Sequence, residues 1–236
     1  MLGKKLGIDL GTANSVIFVQ GEGVVVTEPT VVAIDLNTYT VIAVGKKAKQ
    51  MIGKTPDNIV ARRPLREGVI ADSRITEALL RHFFDKALGK ARFFKPDVVM
   101  SVPAGITSVE ERAVHKAANA VGTRTVTLLP EPLLAALGAG LPIHTSSGNM
   151  IVNMGGGTTE VGVLSLDGVV EYESLRVAGD ALNEYIISYM KKKKGIMIGE
   201  QSAENIKIKI GSAVELKSPK QMEVRGRDVG AGMPKS

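Results

Sequence analysis

Two stretches decide the fold: Ile8-Asp9-Leu10-Gly11-Thr12-Ala13-Asn14-Ser15 and Val152-Asn153-Met154-Gly155-Gly156-Gly157-Thr158-Thr159. They match in character at nearly every position. Each is an apolar strand carrying one polar residue, a glycine turn with hydroxyls, then a second strand. Short glycine turns between strands are common hairpins, so either copy alone carries little weight. Two copies opening two successive halves of the chain point to a repeated architecture.

Working outward, short β-branched runs recur at Leu6–Leu10, Ser15–Val19, Val24–Val26, Val31–Ile34, Val41–Val44, Val98–Val102, Thr125–Leu129, Met150–Met154 and Val161–Leu166. They alternate with helical patterns, which makes the class α/β. One helix is expected after Asp72 as cap, with Ile75, Leu79, Leu80, Phe83 and Phe84 at helical spacing. Another is expected at Ser108-Val109-Glu110-Glu111, read as a capping box in which the Ser108 oxygen and the Glu111 carboxylate satisfy free N–H groups reciprocally. A third follows Gly179-Asp180, with Leu182, Tyr185, Ile186 and Tyr189 on one side.

A glycine-rich reversal lets backbone N–H groups approach a phosphate with no Cβ in the way, and neighbouring Thr or Ser hydroxyls add donors. Two such hairpins facing each other across a cleft would clamp a polyphosphate from both sides. Neither is a Walker A loop, because no Lys-Ser/Thr follows the glycines, nor a dinucleotide fingerprint, because a strand rather than a helix follows. A triphosphate travels with Mg²⁺, which takes one or two carboxylates and otherwise keeps its water; Asp9 is in place for that. Between the hairpins, Leu128-Leu129-Pro130-Glu131-Pro132-Leu133 ends a strand and starts a helix. Glu131 at that mouth either orients an attacking water or caps the helix, and the residues alone do not choose.

The bulk properties agree with a globular protein. The chain has 236 residues, 44% apolar and 23% charged, enough for one large core or two moderate ones. Its formal charge of +6 suits acidic partners such as nucleotide, nucleic acid or anionic lipid without choosing among them. With no Cys there is no disulfide, thiolate zinc site or Cys nucleophile, and His82, His115 and His144 lack metal-ligand spacing. The apolar run after Lys4-Lys5 is broken too early by Asp9 for a signal peptide, and no later stretch has the composition of a membrane-spanning helix. The expected location is therefore cytosolic, with membrane contact only from the surface.

Taken together, these residues resemble the actin, hexokinase and Hsp70 ATPase superfamily, and within it the MreB family of bacterial actins. The resemblance runs through Gly7–Asn14, Asn58–Ile59, Gly68–Asp72, Glu131-Pro132, Gly138–Pro142, Gly155–Val161, Ile198–Glu200, Ile210–Ala213 and Met222–Asp228, essentially the whole chain. It implies an actin-like, ribonuclease H-like two-lobed ATPase fold: a first lobe at 1–144, with an outer subdomain near 33–73, and a second at 145–236, with its outer subdomain from about 182. It implies ATP held with Mg²⁺ by a first phosphate loop, Gly11, Thr12, Ala13 and Asn14, and a second, Gly155, Gly156, Gly157 and Thr158. Glu131, helped by Thr158, would position the hydrolytic water, and Asp9, with Asn153 acting through water, would serve the metal. Glu204, Asn205, Ile206 and Lys207 would line the adenosine pocket. On a helix Glu204 and Lys207 lie one turn apart, so they either face one ligand or form a surface ion pair.

Two departures from the family pattern matter. The family carries Asp where this chain has Asn153, which removes a negative charge from the metal and water environment and leaves one carbonyl acceptor beside an NH₂ donor. The sequence also stops at Pro234-Lys235-Ser236, within what the resemblance places in the second outer subdomain, so the second lobe is expected to be incomplete.

The surface adds two features. Phe93-Phe94 sits among Lys90, Arg92 and Lys95, which suits insertion into an anionic bilayer surface; the other reading is two rings packed under a loop. Lys191–Lys194 follows a helix whose C-terminal end favours cations. No aromatic interleaves with that run, which disfavours nucleic acid. The expected function is an ATP-dependent, filament-forming actin that organises cell shape and cell-wall synthesis, with itself, the anionic inner membrane surface and the cell-wall elongation machinery as partners. The alternatives are a non-hydrolysing actin-like structural protein and a small-molecule kinase of the superfamily.

Overall fold

The structure is a computed structural model that describes residues 3–89 and 94–235. The chain divides into two compact units, residues 1–176 and 177–236. The boundary at 144/145 expected from the resemblance falls inside the first unit, which contains both glycine hairpins.

The first unit opens with an antiparallel meander, β1 (Lys5–Leu10), β2 (Asn14–Val19) and β3 (Gly23–Pro29). Next come β4 (Val32–Asp35), β5 (Val41–Val44), α1 (Lys46–Met51) and β6 (Ile59–Arg62). The strands of this segment form their own small sheet in the order β5-β4-β6. Val31, Ala33 and Ala48 make a separate small apolar cluster beside it. The two-residue strands β7 (Leu65–Arg66) and β8 (Val69–Ile70) pair as a short hairpin. There follow α2 (Ser73–Leu88), β9 (Asp97–Val102), α3 (Ser108–Ala120), β10 (Thr125–Pro130) and α4 (Glu131–Gly138). The main sheet runs β10-β9-β1-β2-β3, with β9 parallel to both β1 and β10.

Helix α2 shows why the main core forms here. Asp72 accepts the Ile75 backbone N–H at 3.1 Å and so supplies one of the bonds the first helical turn cannot make internally. Leu79, Leu80, Phe83 and Phe84, spaced to share a helix face, are completely buried, and Ile75 nearly so. They pack with Leu6, Ile8, Ile17, Val19, Val98 and Met100 from alternate positions of the sheet. Each such side chain is worth about 1.5–3 kcal/mol of burial, so this layer dominates the unit's stability.

The capping box of α3 sits one residue earlier than expected. Thr107, in extended conformation, is the cap; its hydroxyl accepts the Glu110 N–H and the Glu110 carboxylate accepts the Thr107 N–H at 2.9 Å. Ser108 is already helical, so it and Glu111 are not the reciprocal pair. Threonine and serine are both favoured caps, and the two adjacent residues differ in register by one.

The remainder of the first unit is a second sheet, β11 (Asn149–Met154), β12 (Thr159–Ser165) and β13 (Gly168–Leu175), antiparallel throughout. Helix α4 packs on it, and Ala136, Ile143 and Leu164 form the apolar cluster between them.

The second unit contains α5 (Gly179–Tyr189), which continues as a turn of π-helix through the lysine run, and α6 (Glu200–Ile210). It also holds a small antiparallel sheet of 196–197, 226–228 and 234–235. Helix α5 forms where expected, but its anticipated apolar side is open: Leu182, Tyr185 and Tyr189 are exposed, and Asn183 is the buried residue. Among the described residues, no helix is long and apolar enough to cross a membrane.

Candidate functional site

The two quoted stretches fold alike. In β1/β2 the strands pair up to Leu10 and Ser15 around residues 11–14; in β11/β12 they pair up to Met154 and Thr159 around residues 155–158. The two turns face each other at contact distance. A Cβ added to Gly156 would lie 2.6 Å from the Ala13 Cβ, and one added to Gly157 would lie 2.5 Å from the Thr12 Oγ1. No real Cβ tolerates such spacing, so the glycines are what allow the turns to meet. The Gly155 N–H donates to the Thr158 carbonyl at 2.8 Å, and the Thr12 hydroxyl accepts the Gly68 N–H at 3.0 Å, tying the β7–β8 hairpin over the first turn.

Beside the turns lies a cavity of about 370 Å³ whose lining includes Asp9, Ser101, Glu131 and Asn153. Strand alternation brings them there: Asp9 points away from the buried face of β1 on which Ile8 and Leu10 sit, and Ser101 reaches it from the neighbouring parallel β9. The Ser101 hydroxyl donates to Asp9 Oδ1 at 2.8 Å, and the Asn153 amide donates from Nδ2 to Glu131 Oε2 at 3.1 Å. Three of the residues singled out from sequence therefore share one cavity. The capping reading of Glu131 is excluded: Pro130 is the cap residue of α4, no side chain caps it, and the Glu131 carboxyl is bonded to Asn153 instead.

Glu160, which sequence reading passed over, completes the cluster. It stands opposite Asn153 in the β11/β12 register, so both side chains project from the same face of the hairpin. It is fully buried; Oε1 accepts the Ala104 N–H at 2.8 Å, and Oε2 has no hydrogen-bond partner among the described residues. Burial, then the Glu160 carboxyl, then Asp9 push the Glu131 carboxyl up to about 7. Burial also raises Glu160, against the hydrogen bonding of Ser174 and Ala104. Its legible signal was positional: an ionisable residue at a position of β12 whose alternate neighbours, Gly162 and Leu164, face inward.

Other expected site residues lie elsewhere. Thr158 is nearly buried and lines a separate cavity of about 290 Å³ with Glu67, Glu110, Tyr172 and Arg176, not the one that holds Glu131. Glu204, Asn205, Ile206 and Lys207 belong to α6 of the second unit. There Ile206 is buried and the Lys207 ammonium donates to the Gly179 carbonyl at 2.8 Å. Phe93 lies outside the described residues; Phe94 is 55% exposed, which removes the packed-under-a-loop reading for that ring.

The fit to a metal-bound polyphosphate rests on the donor set. No group of three or more His, Cys, Asp or Glu able to hold a metal occurs among the described residues, so no all-protein metal cage is present there. Asp9 offers one exposed carboxylate and Asn153 one carbonyl oxygen, the sparse set that suits Mg²⁺ when phosphate and water complete its shell. Among the described residues the cavity lining includes no Lys or Arg, which leaves a cation as the natural counter-charge for phosphate.

Comparison with known proteins agrees with this fold. The sequence profile of the MreB/Mbl protein family matches residues 3–236. The cell shape-determining protein Mbl of Bacillus cereus is 48% identical over 236 residues, covering all of this chain and 71% of the relative. The cell shape-determining protein MreB of Escherichia coli is 48% identical over 241 residues, covering all of this chain and 69% of that protein. Among solved structures, MreB5 of Spiroplasma citri bound to AMPPNP superposes with a TM-score of 0.94 at 36% identity, over 100% of this chain and 71% of that one. The MamK double helical filament superposes at 0.75 with 22% identity over 98% and 72%, a likeness of fold alone. The fold is actin-like, and the chain belongs to the MreB/Mbl family.

Proposed function

We propose that this chain is a cytoskeletal ATPase: it binds ATP with Mg²⁺ between the turns at 11–14 and 155–158, hydrolyses it slowly, and assembles with its own copies into filaments. The observation that carries this reading is the convergence of Asp9, Glu131 and Asn153 on one cavity beside two glycine turns in mutual contact. Family membership and the AMPPNP held by MreB5 of Spiroplasma citri support it.

In this reading the backbone N–H groups and hydroxyls of the two turns hold the phosphates, with Gly11, Thr12, Ala13 and Asn14 on one side and Gly155, Gly156, Gly157 and Thr158 on the other. Asp9 and, through water, Asn153 would hold Mg²⁺, which would supply neutralisation of the charge on the phosphates. Glu131 accepts a hydrogen bond from a water and aims its oxygen at the terminal phosphorus. The new P–O bond forms as the bond to ADP breaks, its electron pair leaving with ADP and the proton of the attacking water passing to the released phosphate. Glu204 to Lys207 contribute to the adenosine pocket, and the lobes divide near residue 144.

Asn153 bears on the rate. Its NH₂ engages Glu131, so the group that should greet water is already held, and one negative charge is missing beside the metal. Asn153→Asp should therefore raise both Mg²⁺ dependence and turnover at saturating Mg²⁺, read as phosphate release across a Mg²⁺ titration. Indistinguishable curves would sink the assignment and favour a member of the family in which this position is silent.

The filaments are proposed to lie in the cytoplasm on the inner face of the cytoplasmic membrane, where the cell-wall elongation machinery would be their partner. Phe93 and Phe94 would supply the contact; the exposure of Phe94 supports this. Changing both to Ser should abolish co-sedimentation with anionic vesicles, and unchanged binding by the folded variant would remove these rings from the membrane account.

A further inference from the structure

Strand β9 brings a hydroxyl to the cavity that holds Asp9, Glu131 and Asn153, and it does so through register. Ile8 stands beside Met100 in the parallel β1/β9 pairing, so Asp9 and Ser101 are the next neighbours along it. Val98, Met100 and Val102 are buried in the main core, which turns Val99 and Ser101 to the other side of the sheet, where they line the cavity with Gly7 and Asp9. The neighbours on either flank are apolar: Val16 of β2 stands across from Asp9, and Leu129 of β10 stands across from Ser101. In this row of the sheet Asp9 and Ser101 are therefore each other's polar neighbour, and the Ser101 hydroxyl donates to Asp9 Oδ1 at 2.8 Å.

That bond decides how the carboxylate presents itself. The last torsion of an aspartate is broad and roughly two-fold, so an exposed Asp on a strand samples many orientations. Serine has one proton to give, and here it goes to Oδ1, in a hydroxyl-to-carboxylate bond of the charge-assisted kind. Oδ1 and the plane of the carboxylate are thereby fixed. Mg²⁺ tolerates little misorientation, because it demands near-octahedral geometry with ligands at about 2.0–2.1 Å. A carboxylate held in advance also loses less freedom on binding than one captured from several rotamers.

We propose that Ser101 is a positioning residue of this site: from β9 its hydroxyl holds the Asp9 carboxylate in the orientation that receives a phosphate-bound divalent cation, and so sets the Mg²⁺ requirement of nucleotide binding. The proposal deepens the ATPase reading and rests on it. Ser101 acts through Asp9 and transfers no proton to or from the nucleotide. Hydrogen bonds placed behind a metal-ligating carboxylate in this way govern cation affinity by about 10–100-fold.

The test is calorimetric binding of ATP to the full chain across a Mg²⁺ titration, for the wild type, Ser101→Ala, Ser101→Thr, Asp9→Asn and the double variant Asp9→Asn/Ser101→Ala. In Ser101→Ala the Mg²⁺ concentration that gives half of the gain in ATP affinity should rise about ten-fold or more, while ATP affinity in the presence of a chelator stays within about two-fold. Ser101→Thr keeps the hydroxyl on a side chain suited to a strand and should hold the midpoint near that of the wild type. A residue that works through Asp9 has nothing left to do once that carboxylate is gone, so the double variant should match Asp9→Asn. Equal Mg²⁺ midpoints in the wild type and a folded Ser101→Ala would overturn the proposal. So would an equal loss of ATP affinity with and without Mg²⁺, or losses that add in the double variant, since either would make Ser101 a structural residue only. Circular dichroism checks each fold, and Ser101→Cys, whose thiol is a weak donor, takes the place of Ser101→Ala where that variant does not fold. Mg²⁺-dependent binding by the wild type with Ser101→Ala unmoved would defeat this proposal alone; no ATP binding by the wild type would defeat the ATPase reading and this proposal with it.

Discussion

Glu131→Ala is expected to leave ATP affinity within a few-fold while lowering phosphate release by roughly 100-fold or more, the scale on which a positioned acid–base or water-orienting group acts. The carboxyl orients water and need not touch the bound phosphates, so loss should fall on turnover rather than affinity. Equal loss of both would instead make it a structural residue. The same group also leaves a mark on stability. Its folded value of about 7 stands above the ordinary 4.5, so the folded protein holds a proton that the unfolded chain releases between those limits. The stabilisation is full below about pH 4.5 and is lost as pH rises through about 7, a loss of up to about 3 kcal/mol for a shift of this size. Chemical unfolding at about pH 5 and pH 8 should show that difference in the wild type and a smaller one in Glu131→Ala. A wild-type stability independent of pH across that window would contradict the burial and like-charge argument.

Gly157→Val carries the other large effect. A side chain there meets the Thr12 hydroxyl at 2.5 Å and the Glu67 backbone at 3.1 Å, and the backbone cannot swing aside as a flexible side-chain tip could. The turns must separate. Nucleotide affinity should drop at least ten-fold, and the strain should lower the melting temperature by several degrees, since overpacking of this kind costs about 1–3 kcal/mol. Circular dichroism melts alongside a binding isotherm would check both, and an unchanged isotherm would mean that the phosphates are not held between these turns.

Local pattern carried much of the fold. The β-branched runs became β1 through β5 and β9 through β12 almost residue for residue, and the Asp72 cap with its apolar heptad-like spacing became α2 as read. What escaped was information that lies in pairing rather than in composition. Strand β13, Gly168–Leu175, mixes Glu171, Tyr172 and Glu173 with valines because it is an edge strand with open faces, so no clean alternation marks it. The open side of α5 was invisible because apolar spacing specifies a face without naming what covers it. The site divides in the same way. Asp9, Glu131 and Asn153 were legible because each stands next to a turn or strand end. Ser101 was not, and Glu160 offered only its place in the alternation of β12, because the part of each depends on cross-strand register, which brings residues distant in sequence side by side. Thr158 was read as a partner of Glu131 from resemblance, whereas the structure sets it on the other cavity.

The most direct test of the central claim is equilibrium binding of ATP to the whole chain, by calorimetry with and without Mg²⁺, beside Gly157→Val as the variant that separates the turns. The account predicts saturable binding at one site per chain that weakens when Mg²⁺ is removed and is lost or at least ten-fold weaker in Gly157→Val. No saturable binding by the wild type, or the same affinity in both proteins, would contradict it.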